Sequence, residues 1–214
     1  MFTAAVDPLL VIILILNLFL LGTSRLHAVV NGSAAQGVLL GVLTIAADSE
    51  FGWRTALLTV GAIILKGVVI PLMLTRAMRD ASIRREIEPL VGFLPSLMLG
   101  AVGSAVSLVF ARTLPLAEQH VGSLLVPASL ATVLTGFLLL TTRRKAISQV
   151  VGYLVLENGI FIMGLTLIEA MPLMVELGVL LDLFVGIFVM GIIINHINRE
   201  FSTLDTARLS ALKE

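Results

Sequence analysis

The sequence predicts an all-α protein, a polytopic bundle of about seven transmembrane helices, and three observations predict it. The first is composition: 58% of the 214 residues are hydrophobic and only 13% are charged, with a mean hydropathy of +1.08. A water-facing exterior at this size needs a coat of charge that the chain does not carry. The second is clustering, because the apolar residues form runs near or above the roughly 20 residues needed to cross about 30 Å of hydrocarbon. In that solvent every backbone polar group must bond internally, so the runs are helices; a β-barrel would need short alternating segments instead. The third is the placement of the basic residues between the runs.

Taken in order, the first span runs from Pro8 to Ser24. The opening MFTAAVDPLL has no basic residue ahead of its apolar run, so this span is expected to be retained and not cleaved as a signal peptide. The second span, Val29 to Ala47, is the weakest, since NGSAAQG opens it with polar and small residues; without it the count is six. The third runs from Arg54 to Thr75, the fourth from Pro89 to Ala111 and the fifth from Gly122 to Thr142. Ile147 to Ile168 is the sixth and Met171 to His196 the seventh. The tail after Asn198 is polar and is expected at the inner surface. All of it reads as one membrane domain, with three spans in 1–88, the fourth and an outer loop in 89–121, three more in 122–198, and a tail in 199–214. Pro71, Pro95 and Pro127 lie near span ends and mark boundaries or kinks. Asn17 reads as a helix-packing contact.

Short cytoplasmic loops accumulate Lys and Arg. With the N-terminus outside, the inner loops hold Arg25, then Arg76, Arg79, Arg84 and Arg85, then Arg143, Arg144 and Lys145. Arg199, Arg208 and Lys213 of the tail fall on the same side, and only Arg54 and Arg112 are outside. Seven spans with the N-terminus out and the C-terminus in give this alternation.

Lys66, Glu157 and Asp182 each lie about ten residues from their span ends, roughly 15 Å from either surface. At that depth an ionisable side chain costs about 2.5–3.5 kcal/mol on insertion scales, and its usual meaning is a proton or ion path. Gly178, Asp182 and Gly186 recur at i, i+4 and i+8, so small residues flank the acid on one face and let a neighbouring helix approach. Glu157 sits in VGYLVLENGIFIMGL, with Gly164 one heptad further on. The short turn between the sixth and seventh spans makes them antiparallel neighbours with acids at matched depth. Glu157, Asp182 and Lys66 are therefore the candidate proton path, with Gly178 and Gly186 packing beside it. The competing reading is that these polar residues only bond helices together. Glu176 lies about one turn inside the outer surface and reads as interfacial.

Other chemistries fit poorly. Zero cysteines exclude thiolate-held iron–sulfur clusters, a thiolate nickel site and disulfides in this chain. Zero net charge and no basic block with interleaved aromatics argue against nucleic acid. His27, His120 and His196 fall at membrane edges, so no pair sits at the depth of a buried haem. The lysine inside a span is in the third, not the last as in retinal proteins. No phosphate-cradling loop, metal-ligand cluster or catalytic triad is visible.

The stretch LLTTRRKAISQVVGYLVLENGIFIMGL, followed by ELGVLLDLFVGIFVMGIIINHI, resembles the 4L-type (K) subunit of respiratory complex I. That family has three spans, a basic turn after the first, and a mid-membrane glutamate in each of the next two. The resemblance places Glu157 on the first glutamate, Asp182 on the second and Gly186 on the glycine four residues later. The second acid is one methylene shorter here, which alters the relay geometry the family implies. With further spans ahead of this region, the full-length chain resembles hydrogenase-4 component E, a membrane subunit of complex I-like nickel–iron hydrogenases. The resemblance implies a non-catalytic subunit of an oxidoreductase complex in the inner (cytoplasmic) membrane, lending buried acids to proton translocation. Antiporter-like membrane subunits and the membrane anchor of the hydrogenase module would be its partners. The nickel–iron centre and iron–sulfur clusters would belong to partner subunits, with no cofactor bound by this chain. The alternatives are the C-type subunit of a multisubunit Na⁺/H⁺ antiporter, whose relatives are shorter, and a pure assembly subunit.

Overall fold

The computed structural model describes residues 2–47, 53–80, 87, 89–115 and 122–167, together with the single positions 178, 181 and 184. Regular structure among the described residues is helical throughout, as an apolar chain with no water to satisfy its backbone requires. Helix α1 spans Phe2–Gly22 and α2 spans Leu26–Ala47. Helix α3, Trp53–Ile64, passes through a π-helical turn at Leu65–Val69 into α4, Ile70–Asp80. Then come α5, Phe93–Ala111, α6, Leu125–Thr142, and α7, Ala146–Leu165. Five of these rods are long and apolar enough to cross a membrane, and Val6–Gly22 of α1 is a shorter apolar helix. The molecule is a polytopic helical membrane protein. Apart from positions 178, 181 and 184, the seventh predicted span, with Asp182 and Gly186, lies outside the described residues, as do Glu176, His120, His196 and the tail.

Several boundaries differ from the sequence reading: α1 begins at Phe2 and not Pro8, α2 at Leu26 and not Val29, and α5 and α6 begin at Phe93 and Leu125, inside the expected starts at Pro89 and Gly122. The third rod does not stop at Thr75 but continues to Asp80. Ile70, Leu74, Ala77 and Met78 form a buried stripe at helical spacing, while Arg76 and Arg79 sit on the outer face. Pro71 is therefore not a terminus: it lies within the continuous rod, directly after the π turn. Its ring has no N–H and excludes the carbonyl four residues back, that of Gly67, from an α ladder. The wider turn absorbs this, with the Ile70 N–H bonding to the Leu65 carbonyl, five residues back. Pro95 and Pro127 occupy the first turns of α5 and α6, where backbone N–H groups lack helical partners anyway.

Helices α6 and α7 form the tightest pair because glycines remove the side chains between them. A Cβ on Gly136 would lie 2.5 Å from the Leu156 nitrogen, and one on Gly159 would lie 2.6 Å from the Val133 nitrogen. Backbone contact of this kind is how helices associate where water supplies no hydrophobic drive. At Gly164, by contrast, an added Cβ would meet no described atom within 4 Å. Around this pair, α1 packs on α6, α2 packs on α7, and α1 and α2 pack on each other. Helix α5 leans on α1 and α6 with most of its surface outward.

The buried apolar side chains fall into two clusters stacked along the bundle. One includes Leu20, Leu21, Val29, Val30, Ile70, Leu74, Leu139, Val151 and Val155. The other includes Val6, Leu10, Ile13, Leu40, Leu43, Leu125, Ala128, Ile162 and Leu165. At the first end, the chain leaving α1, the segment before α5 and the turn between α6 and α7 meet. The Ile87 N–H donates to the Ser24 carbonyl at 2.8 Å and the Leu90 N–H to the Thr142 carbonyl at 2.7 Å. Pro89 and Arg143 bridge there in antiparallel fashion. At the opposite end Asp7 accepts from the Leu124 N–H at 3.2 Å, tying the start of α1 to the start of α6.

Candidate functional site

Between the two apolar clusters lies a belt of polar side chains contributed by five rods. On α1 it separates Ile13 from Leu20 and is occupied by Asn17; on α2 it separates Val30 from Leu40 and is occupied by Gln36. Thr132 of α6, Glu157 and Asn158 of α7, and Lys66 of the π turn complete it. Asn17, Gln36 and Thr132 are wholly buried, Asn158 is 2% exposed and Glu157 5%, so none of these reaches lipid or water.

Lys66 and Glu157 meet as an ion pair, with Nζ 3.7 Å from Oε2 and both side chains nearly buried. The π turn brings the lysine there. Its backbone lies hard against α2 at Gly37, where an added Cβ would fall 2.7 Å from the Lys66 Cβ. Only glycine admits that approach, and π turns inside α-helices recur at functional positions for this sort of reason. The lysine Nζ also donates to Asn158 Oδ1 at 3.4 Å and stands 6.0 Å from the centre of the Phe161 ring. As ammonium and carboxylate the two charges offset one another, which is what makes their burial in a low-dielectric surround tolerable.

From Asn158 the belt continues away from the charge. Asn158 Nδ2 donates to Gln36 Oε1 at 3.5 Å, and Gln36 Nε2 donates to Asn17 Oδ1 at 2.7 Å. Asn17 Nδ2 then donates to Thr132 Oγ1 at 2.8 Å, and the Thr132 hydroxyl donates to the Ala128 carbonyl at 2.7 Å. Asn17 is thus one link in a network crossing the bundle, more than the packing contact its position suggested. Gln36, Asn158 and Thr132 carried no role in the sequence reading. The signal for Gln36 was the polar stretch that made the second span look weak.

Of the candidate residues, then, the structure joins Lys66 to Glu157. Gly178 is exposed, and a Cβ on it would meet nothing described within 4 Å. Asp182 and Gly186 are outside the described residues. Among the described residues no cluster of three or more His, Asp or Glu could hold a metal ion.

A second buried cation lies at the basic end. Arg143, expected in a hydrated loop, is wholly buried. Its Nη2 donates to the Leu21 carbonyl at 2.7 Å, and Nη1 reaches the Val91 carbonyl at 3.2 Å and Ser96 Oγ at 3.4 Å. The Phe93 ring stacks 5.0 Å away. Burial lowers the pKa of this guanidinium from its ordinary value, but an arginine starts so high that it stays charged at neutral pH. The exposed residue in that turn is Arg144.

The chain is similar to several known proteins. The chain is 34% identical over 194 residues to the uncharacterized protein Rv0085 of Mycobacterium tuberculosis, covering 88% of this chain and 87% of the relative. It is 26% identical over 212 residues to hydrogenase-4 component E of Escherichia coli K12, covering 97% of each chain, and the figures are the same for the Shigella flexneri protein. No protein-family model matches the chain. No solved structure matches it either.

Proposed function

The chain belongs to the same family as the mycobacterial protein Rv0085, and from that premise we propose that it is a non-catalytic membrane-arm subunit of a complex I-like, membrane-bound nickel–iron hydrogenase. End-to-end homology to hydrogenase-4 component E and the apolar helices support membership of such a complex. Its partners are antiporter-like subunits and the anchor of the hydrogenase module, in the inner membrane. The gathering of the basic turns at one end supports that end facing the cytoplasm.

One observation carries the mechanistic part. Lys66 and Glu157 pair in a belt sealed above and below by apolar clusters. A carboxylate held beside an ammonium is suited to taking a proton that arrives at mid-membrane, as COO⁻ + H⁺ → COOH, and passing the same proton onward to the next acid. Asp182 of the seventh span is the next acid in the proposed path, following the resemblance of this region to the 4L-type subunit. Each charge moved against the potential costs about 2.3 kcal/mol per 100 mV, so hydrogen-forming redox chemistry in partner subunits supplies the drive.

The test is Glu157→Gln in the intact complex, measured in inverted vesicles as proton transport per hydrogen turned over. Measured per assembled complex, transport should fall about a hundredfold, the low end of the range that loss of a proton-transferring side chain produces. Unchanged transport sinks the relay. The same preparation decides the partners: a nickel–iron hydrogenase module should co-purify, whereas antiporter subunits alone would place the chain in a redox-free transporter.

A further inference from the structure

We propose that Asn158, Gln36, Asn17 and Thr132 form a polarised ladder that positions the Lys66 head group against Glu157 without itself conducting protons. The inference rests on the proton-path reading only for its transport readout.

The direction of the bonds carries the argument. Starting at Lys66, every donor points the same way: ammonium to Asn158, Asn158 to Gln36, Gln36 to Asn17, Asn17 to Thr132, Thr132 to the Ala128 carbonyl. Three carboxamides therefore stand head to tail with their oxygens toward the cation, and aligned bonds polarise one another in a low-dielectric surround. A proton wire needs each link to give a proton and take another at the same atom, as water, hydroxyl or carboxyl groups do. A carboxamide accepts at oxygen and donates at nitrogen, so it does not exchange those roles. The amides are thus an electrostatic prop and also the end of the path on the α1 and α6 side.

The distances fit a prop fixed at its far end. The bonds are 2.7 and 2.8 Å around Asn17, next to the rigid α6 backbone, and 3.4 and 3.5 Å around Asn158. The ladder is firm where it is anchored and slack where it touches the lysine. Since the four members are buried to within 2% of one another, a purely structural role predicts similar effects from all four. Links of a wire in series would predict equal loss of conduction at every break.

The experiment compares Asn158→Leu, Gln36→Leu, Asn17→Leu and Thr132→Val in the assembled complex, with Lys66→Met as reference. Transport per turnover should fall about tenfold for Asn158→Leu, about threefold for Gln36→Leu, and progressively less beyond, as influence along a polarised chain decays with each bond. Gln36→Leu should add nothing further to Lys66→Met. A second readout needs no hydrogenase activity. In ¹⁵N-lysine-labelled protein the only other lysines are Lys145 and Lys213, so the Lys66 ζ-nitrogen resonance can be followed, and it should move in the same order. Equal, near-complete loss of transport at every link overturns the proposal in favour of a wire. Loss of assembled protein, with the resonance and per-complex transport unmoved in what remains, overturns it in favour of simple packing. If Lys66→Met leaves transport intact while the resonance still shifts in order, the proton-path reading fails and the ladder stands.

Discussion

Lys66 and Arg143 are both cations withdrawn from water, yet the molecule holds them in opposite ways. Lys66 stands opposite a carboxylate at 3.7 Å and touches one amide oxygen. Arg143 spreads its planar fork over the Leu21 and Val91 carbonyls and the Ser96 hydroxyl, all neutral. An ammonium on a flexible stem beside an acid is the arrangement that the proposed proton path calls for. A guanidinium cannot be deprotonated at any ordinary pH, so its burial serves geometry: it adds to the backbone bonds that join the end of α1, the segment before α5 and the turn before α7. Burial alone does not mark a working charge; the chemistry of its partners does.

The largest effect is expected from breaking the pair on one side only. Lys66→Met removes the cation beside Glu157 and should destabilise the folded protein by about 3–5 kcal/mol, as one-sided loss of a buried ion pair does. Adding Glu157→Gln should recover much of that, and thermal unfolding of the two single variants and the double variant in detergent measures the coupling. Strict additivity would mean the two side chains do not act as a pair. Next comes Arg143→Lys, which keeps the charge but loses the fork. It should cost about 2–3 kcal/mol, roughly one charged hydrogen bond, and lower Tm while leaving transport per assembled complex unchanged. Were transport to fall with the protein fully folded, the contrast drawn between the two cations would be wrong. The smallest effect belongs to Gly37→Ala, whose new methyl meets the Lys66 Cβ. About 1–2 kcal/mol of overpacking is expected, with transport falling more than stability, because the displaced group is the lysine itself.

Much of the architecture was legible because a bilayer leaves so few options. Apolar runs had to be helices, and their limits were found to within a few residues except where a less apolar end ran on, as at the start of α1 from Phe2 and in α4 through Arg76 and Arg79. A rod that emerges from lipid keeps its buried stripe but changes its outer face, and a search for apolar runs stops at the change. Lys66 and Glu157 stood out because a charge at mid-span is costly. Gln36 and Asn17 did not, because a neutral amide is cheaper to bury and its meaning depends on partners from other rods, 19 and 115 positions away in the chain. Arg143 was hidden for the converse reason: RRK in a short turn has the composition of a hydrated loop, and only the fold reveals that its first member turns inward.

The Arg143 contacts also bear on how the protein is made. Leu21, Val91 and Ser96 all precede Arg143 in the chain, so while a ribosome is still delivering α6 their oxygens await a donor not yet synthesised. The Arg143 contacts at that end can therefore form only once the turn before α7 has been made. A nascent chain stopped after α5 would present an open receptor, and a separately supplied α6–α7 fragment carries the group that fits it.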